Sequence, residues 1–348
     1  MRTLVYGAGP LGSYVAAKLH EAGADVALLA RRQRLADVRA HGVVLEFVPD
    51  GRRETHHVPV VEELAPDDNY ALVLVVLRKD QTAAVLPTLA ANRRVRTVLF
   101  LQNNAAGFGE YTRWLGAQRV MAGHPTLGGQ RDGAVMRILR FGPLPIPIGE
   151  PDGSVTPRTR AVAAHLARMR GHRVQLRTDI DAWLASHIPA LLPYLGLYAV
   201  GLDTRQFAAT RDARLLGARA QREALRAQAA AGVPVTPPWI WAAALQPEPL
   251  GLALLRALAT TTLFEVGIAA HARSGRGEVG ELLRDYRDRV APAGLPTPLL
   301  DRAIAHVDAS VPDLPTGSRE IPVRWTGLAA LAAAGSVITA GAAWRRRG

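Results

Sequence analysis

The chain has 348 residues, 49% hydrophobic and 21% charged, enough for two cored domains and too apolar for disorder. Its formal net charge of +12 is carried almost wholly by arginine, since Lys18 and Lys79 are the only lysines, and it has no cysteine. Disulfides and thiolate chemistry are thereby excluded, and the ten histidines lack the HxxxH or HExxH spacing of a zinc site. The arginines are scattered and not interleaved with aromatics, which argues against nucleic acid and leaves anionic small ligands as the reading of the charge.

In chain order, Met1-Arg2-Thr3 runs straight into "TLVYGAGPLG", a buried strand ending in a glycine turn. No signal peptide is recognisable there, so a cytoplasmic protein is expected. "SYVAAKLHEAG" then reads as a helix, "DVALLARR" as a strand and "QRLADVRAHG" as a polar helix. "GVVLEFV" and "THHVPVV" flank the turn-rich "PDGRRE", which predicts a hairpin insertion. The unbroken apolar run "YALVLVVL" predicts a central parallel strand. "TAAVLPTLAA" reads as helix, "TVLFLQN" as strand and "RVMAGHPTLGG" as strand and loop. The prolines of "PLPIPIGEPDG" predict an edge strand.

From Asp179 the chain is Ala/Leu-rich and helical to about residue 308. The expected fold is therefore α/β plus all-α: a Rossmann-type doubly wound sheet over 1–178, then a helical substrate or dimerisation domain over 179–310. A linker over 311–324 leads to an apolar C-terminal helix over 325–348. Between Arg324 and Arg345 lies "WTGLAALAAAGSVITAGAAW", uncharged and as a helix about 30 Å long, with an arginine-rich end. Membrane contact through residues 325–347 and packing on the body or a second subunit are both open, as is a homodimer.

Gly7, Gly9 and Gly12 form GxGxxG between a strand and a helix, where they permit a tight turn, close approach of a pyrophosphate and helix–strand packing. The second strand ends in Ala30-Arg31-Arg32 and carries no carboxylate for a ribose 2′-hydroxyl. Two guanidiniums suit a 2′-phosphate, so NADP(H) is the expected cofactor. No lysine follows residue 79, so no lysine acid can come from the second half, and arginine stays protonated.

Taken together, "GAGPLGSYVAAKL", "ARR", "VLVVLRKDQT", "LFLQNNAAGFGE", "IGEPDG", "DIDAWLASHI" and "SGRGEVGELL" make the chain resemble the ketopantoate reductase family from residue 1 to about 305. The resemblance implies reduction of a 2-oxo acid's ketone by NADPH, between a Rossmann domain and a helical domain. Carried over by position, it implies cofactor contacts from Gly7, Gly9, Leu11, Gly12 and Arg31, and from Arg78 or Lys79 in place of a family lysine. Gln81 keeps its motif place, Asn103 matches an asparagine near nicotinamide and substrate, and Glu278 matches a late glutamate at the domain interface. Ala8, Pro10, Arg32 and Leu77 complete the expected cofactor set.

The resemblance also implies a general-acid lysine two residues after Trp183, where this chain has Ala185, and substrate-binding asparagines where it has Pro189 and Pro193. None of these three side chains can donate a proton. His187, about 200° around the helix from Ala185, is the expected substitute, acting with Asn103 and Glu278. His124, Tyr194 and Tyr198 are the other candidates. The expected function is an NADP(H)-dependent oxidoreductase acting on a small carbonyl substrate, with altered substrate and proton donor. The alternative is a non-catalytic NADP(H)-binding sensor or membrane-tethered interaction protein.

Overall fold

The computed structural model describes residues 1–325 apart from Pro49, Phe141 and Pro143. The chain opens with β1 (Thr3–Tyr6), α1 (Pro10–Glu21), β2 (Val26–Leu29) and α2 (Arg32–His41). There follow β3 (Val43–Val48), β4 (Arg53–His56), β5 (Val60–Val61), β6 (Leu72–Val75), α3 (Lys79–Thr82), α4 (Leu86–Ala91), β7 (Val98–Leu101) and α5 (Gly109–Leu115). The last strands are β8 (Val120–Gly123), β9 (Leu127–Asp132), β10 (Val135–Arg140), β11 (Ile146–Gly149) and, after α6 (Pro157–Leu166), β12 (Val174–Leu176).

Later described elements are helical: α7 (Ile180–Leu195), α8 (Thr204–Ala209), α9 (Arg211–Ala230), α10 (Trp239–Leu245), α11 (Glu248–Ala259) and α12 (Thr262–Phe264). A π-helical turn, Glu265–Ala269, joins α12 to α13 (Ala270–Ser274), which is followed by α14 (Arg276–Val290) and α15 (Pro298–Ala305).

The main sheet has the order β12-β11-β8-β7-β6-β1-β2-β5 and is parallel from β5 to β8, with β11 and β12 reversed. Its central strands are buried on both faces because they alternate apolar side chains between two cores. Val5, Leu72 and Leu74 face Val15, Leu19, Val162 and Leu166, while Leu4, Tyr6, Val73 and Val75 face Leu86, Leu89 and Tyr111. Each such buried Leu or Val contributes about 1.5–3 kcal/mol relative to exposure.

Two features differ from the sequence-based expectation. Strand β11 is not an edge strand: it lies between β8 and β12. Pro147 lies within its register with β12, opposite Gln175, and on the β8 side its carbonyl still accepts the His124 N–H at 3.1 Å, so the missing N–H of Pro147 leaves only one rung toward β8 unmade. The hairpin at 43–56 does form, but it joins a second sheet of order β4-β3-β10-β9. Residues 127–140 are a second hairpin, turning at Gly133 and Ala134, where Gly133 takes φ +56°.

In the helical part, Leu192, Phe207, Leu216, Phe264 and Tyr286 form one core. Gly217 lets α9 come against α7, since a Cβ there would lie 2.7 Å from the carbonyl oxygens of Leu192 and Pro193. Ile180–Val200 is long and apolar enough to cross a membrane, yet 61% of its most apolar window is buried in this core. The C-terminal apolar helix expected over 325–348 lies, from residue 326 on, outside the described residues.

The 311–324 segment, expected as a linker, lies as a strap against the helices. Backbone N–H groups of Glu320 and Ile321 donate to Asp212, and that of Arg324 donates to Glu248.

Candidate functional site

The strand order reverses at β1, with β2 on one side and β6 on the other. Such a switch point opens a crevice at the carboxyl ends of the strands, where ligands of open α/β sheets bind. The residues that follow these strands are Gly7–Pro10 after β1, Arg31 after β2, Leu77 and Arg78 after β6, Asn103 after β7 and His124 after β8.

The three glycines of the first loop have different neighbours. Gly7 takes φ +125°, and a Cβ there would lie 2.4 Å from the Val76 carbonyl oxygen. At Gly12 a Cβ would lie 1.9 Å from the Gly7 oxygen, so both positions are closed by the protein itself. At Gly9 a Cβ would meet nothing within 4 Å. Gly9 caps α1 without a side-chain bond, Pro10 is in the first turn and no acid stands there. The free N–H groups of that turn therefore face open space where negative charge is favoured. These residues fit a dinucleotide's pyrophosphate.

Arg31 is exposed, and its guanidinium donates to the Tyr6 hydroxyl at 2.7 Å. Arg32 is exposed at φ +51°, a conformation non-glycine residues rarely hold. Both stand on the rim beyond β2, Arg31 against the Tyr6 ring. A third arginine, Arg34, is buried and was not singled out from the sequence. It donates to the Ala8 carbonyl at 3.2 Å, to Ser13 Oγ at 3.2 Å and to the Ala134 carbonyl at 3.1 Å. It thus ties the glycine loop to the β9–β10 turn, and burial pulls its pKa down to about 10. Nothing in "ARRQR" marks which arginine turns inward.

Beyond β6, Leu77 packs on Gly7. Arg78 turns to the helical half and donates to the Ser274 carbonyl at 2.6 Å. Lys79 is buried away from the glycine loop: its amine lies 3.4 Å from Glu281, 3.8 Å from Asp285 and 4.0 Å from Glu110. Three carboxylates hold its charge. Gln81 is exposed on α3.

Asn103 and Glu278 are brought together. Gln102 fixes the end of β7 by accepting from Thr82 at 2.9 Å and donating to the Tyr111 hydroxyl at 2.7 Å. The next residue, Asn103, lies close enough to draw the Glu278 pKa down, while its own Oδ1 is buried without a hydrogen-bond partner among the described residues. Glu278 is 2% exposed, and its Oε1 accepts the Lys79 backbone N–H at 3.2 Å. Its Oε2 lies 3.5 Å from His271 Nε2 and has no hydrogen bond among the described residues. Burial raises the Glu278 carboxyl above the usual range, against the opposing influence of His271. His271 follows the π-helical turn and was missed from the sequence; its seven-residue spacing to Glu278 was the available signal.

Histidines converge on the same crevice. The ring of His124 lies 4.4 Å from that of His187, which stacks on Trp183 at 5.4 Å with 8° between planes. Nδ1 of His124 accepts the Thr126 N–H at 3.0 Å, so its neutral ring carries hydrogen on Nε2. Burial, and then the nearby His187 and His271, push His124 well below the ordinary histidine range. Burial and His271 push His187 down to about 4. At neutral pH both rings are uncharged, so His187 can act only as a neutral hydrogen-bonding group.

The unfolded chain therefore takes up protons that the folded chain refuses. Stability from this burial is complete above about pH 6.5 and is lost as pH falls towards about 4. His187→Phe, which keeps a ring on Trp183, should lose less melting temperature over that window than the parent. Equal losses in a pH series of thermal melts would contradict the assignment.

On α7 the face that meets His124 is the Trp183–His187 face. Ala185 is fully buried, and Asp181, one turn before it, binds Arg289 of α14 at 3.1 Å. Pro189 and Pro193 remove two helix N–H donors without ending the helix. Ser186 pins this stretch by accepting from Gln228 at 2.7 Å and from the Thr236 N–H at 3.1 Å. Tyr198 donates to the Ala272 carbonyl at 2.9 Å, and Tyr194 sits edge-on to Phe264. Burial raises both phenols, which leaves neither as a ready acid.

A family model described as ketopantoate reductase PanE/ApbA matches residues 3–153. A 2-dehydropantoate 2-reductase structure from Geobacter metallireducens GS-15 superposes with TM-score 0.70 at 20% identity, covering 89% of this chain and 100% of that one. The fold is the ketopantoate reductase fold. A ketopantoate reductase structure from Ralstonia solanacearum MolK2 gives TM-score 0.68 at 19% identity, covering 88% and 96% of the two chains. A D-mandelate dehydrogenase with NADH and anilino(oxo)acetate gives 0.69 at 16%, covering 89% and 97%. No curated protein sequence matches the chain.

Proposed function

We propose that the chain is an NADP(H)-dependent oxidoreductase that reduces the carbonyl of a ketone or 2-oxo acid, with a proton donor other than a lysine on α7. The observation that carries this reading is the pairing of Glu278 with His271 beside Asn103, across the crevice from a glycine loop whose Gly9 faces open space. Gly7–Gly12 and Arg31 would hold the cofactor, with Arg32, Leu77, Arg78 and Gln81 around it, and when bound it supplies a hydride. The division at 1–178 and 179–310 belongs to the same proposal, because it sets the crevice between the two parts.

The chain's own groups do the rest. His124 offers its Nε2 hydrogen to the substrate oxygen. Glu278, held towards its protonated form by burial and 3.5 Å from His271, releases its proton to the alkoxide. His187 and Trp183 wall the crevice with uncharged rings, which suits a substrate less polar than ketopantoate.

Arg31→Ala should weaken NADPH about tenfold to a hundredfold and NADH by less than about threefold, the weight of a charge-assisted phosphate contact. Parallel fluorescence titrations test this, and equal losses for the two cofactors would remove the 2′-phosphate assignment.

A second reading, NADP(H) binding without turnover, is favoured by the fully buried Ala185. Membrane contact through 325–347 is a further proposal. Truncation after Trp325 leaves the 311–324 strap in place, and should shift the protein from a membrane to a soluble fraction. Identical fractionation of the two forms would rule the contact out.

A further inference from the structure

A second concavity lies at the opposite edge of the sheet from the glycine loop, where β7 and β8 begin. Its volume is about 430 Å³, and its lining includes Arg93, Val95, Arg96, Arg119 and Arg158. The loop that carries the first of these is rigid. Buried Asn92 donates to the Ala65 and Asp68 carbonyls at 2.7 and 2.9 Å and accepts the Arg94 and Val95 N–H groups at 3.0 Å. Val95 is buried, so Arg93 and Arg96 are held on the rim while their side chains stay exposed. Among the described residues, neither guanidinium hydrogen-bonds or pairs with a carboxylate.

Arg119 is half-buried beside them. It donates to the Leu89 and Asn92 carbonyls at 3.0 and 2.7 Å, but its Nε is shielded from water and has no partner among the described residues. Burial alone lowers its pKa, with no carboxylate opposing. Arg158 differs, since Glu150 neutralises it. Three uncompensated guanidiniums thus surround one cavity, and one of them is partly desolvated. Like charges held this close repel, and a desolvated cation without a counter-charge is costly.

We propose that this cavity is a binding site for a compact multivalent anion, bearing two or more phosphate or carboxylate groups. The anion takes hydrogen bonds from Arg93 and Arg96, and the Arg119 guanidinium behind them adds its charge. The site is separate from the glycine loop: the two lie at opposite ends of the parallel strands. Its Asn92-fixed loop means that binding orders side chains but not backbone.

The test is calorimetric titration of the full chain with inorganic pyrophosphate and with citrate, at low and moderate salt. Arg93→Ala/Arg96→Ala and Gly9→Ala are titrated alongside. Saturable binding is expected in the parent and in Gly9→Ala, at least tenfold weaker in the double arginine variant, and weaker in higher salt. Preference between the probes tells phosphate from carboxylate. Both arginines are exposed, so an unchanged melting temperature shows that the double variant is folded. Binding unchanged in the double variant, binding lost only in Gly9→Ala, or no saturable binding of either anion would each overturn the proposal.

Discussion

Gly9→Ala should leave the fold intact and cut NADPH affinity by at least about tenfold, whereas Gly12→Ala should damage both. A methyl group at Gly9 enters open space, and the residue's backbone is extended, so the folding cost is that of a slightly poorer helix cap, no more than about 1 kcal/mol. The same methyl occupies the approach to the α1 N-terminus. At Gly12 the added Cβ would lie 1.9 Å from the Gly7 carbonyl oxygen, so β1 and α1 must separate. Overpacking of this kind costs about 1–3 kcal/mol or more. Thermal melts and NADPH titrations on the two variants therefore separate a ligand cradle from a purely structural turn. A Gly9→Ala protein that binds NADPH like the parent would show that the loop serves packing alone.

Glu278→Gln should lower kcat by about a hundredfold to a thousandfold while NADPH affinity stays within about twofold. The substitution keeps an acceptor for the Lys79 N–H and removes the carboxyl proton beside His271. The sign of the pH dependence follows. Because Glu278 acts when protonated and burial raises its pKa, parent activity should fall as pH rises through that raised value. The variant's residual activity should lack that limb. A variant with parental kcat, or with the same alkaline limb, would remove Glu278 from proton transfer.

Much of the fold could be read in local sequence. The glycine turn, the central strand at 72–75 and the helical character after 180 rest on patterns a few residues long. The second sheet was not readable in this way, because it pairs 43–56 with 127–140 across the intervening strands. Its Gly133-Ala134 turn, directly after Asp132, was a local signal that could have revealed β9 and β10. The proline-rich β11 misled because one missing N–H removes one rung, while the Pro147 carbonyl and the N–H groups of its neighbours still pair on both sides.

The site divides in the same way. Asn103 and Glu278 carried motif signals and meet in space, but their partner His271 sits after a π-helical turn that no periodicity marks. Lys79 is held by carboxylates, and Arg34, which carried no sequence-based expectation, supports the loop. Which charge turns inward depends on partners distant in sequence. His187 faces away from the Ala185 side of α7, as helical geometry requires, but that is the side on which His124 waits.

The most direct measurement of the central claim follows NADPH on the full chain. Saturable binding is measured by nicotinamide fluorescence, and a panel of 2-oxo acids, ketones and aldehydes is then added to the complex. At least one apolar carbonyl compound should oxidise the bound cofactor in the parent and not in Glu278→Gln. Binding with no oxidation by any of the panel would contradict the enzyme and leave the non-catalytic NADP(H) reading, and no saturable binding would contradict both.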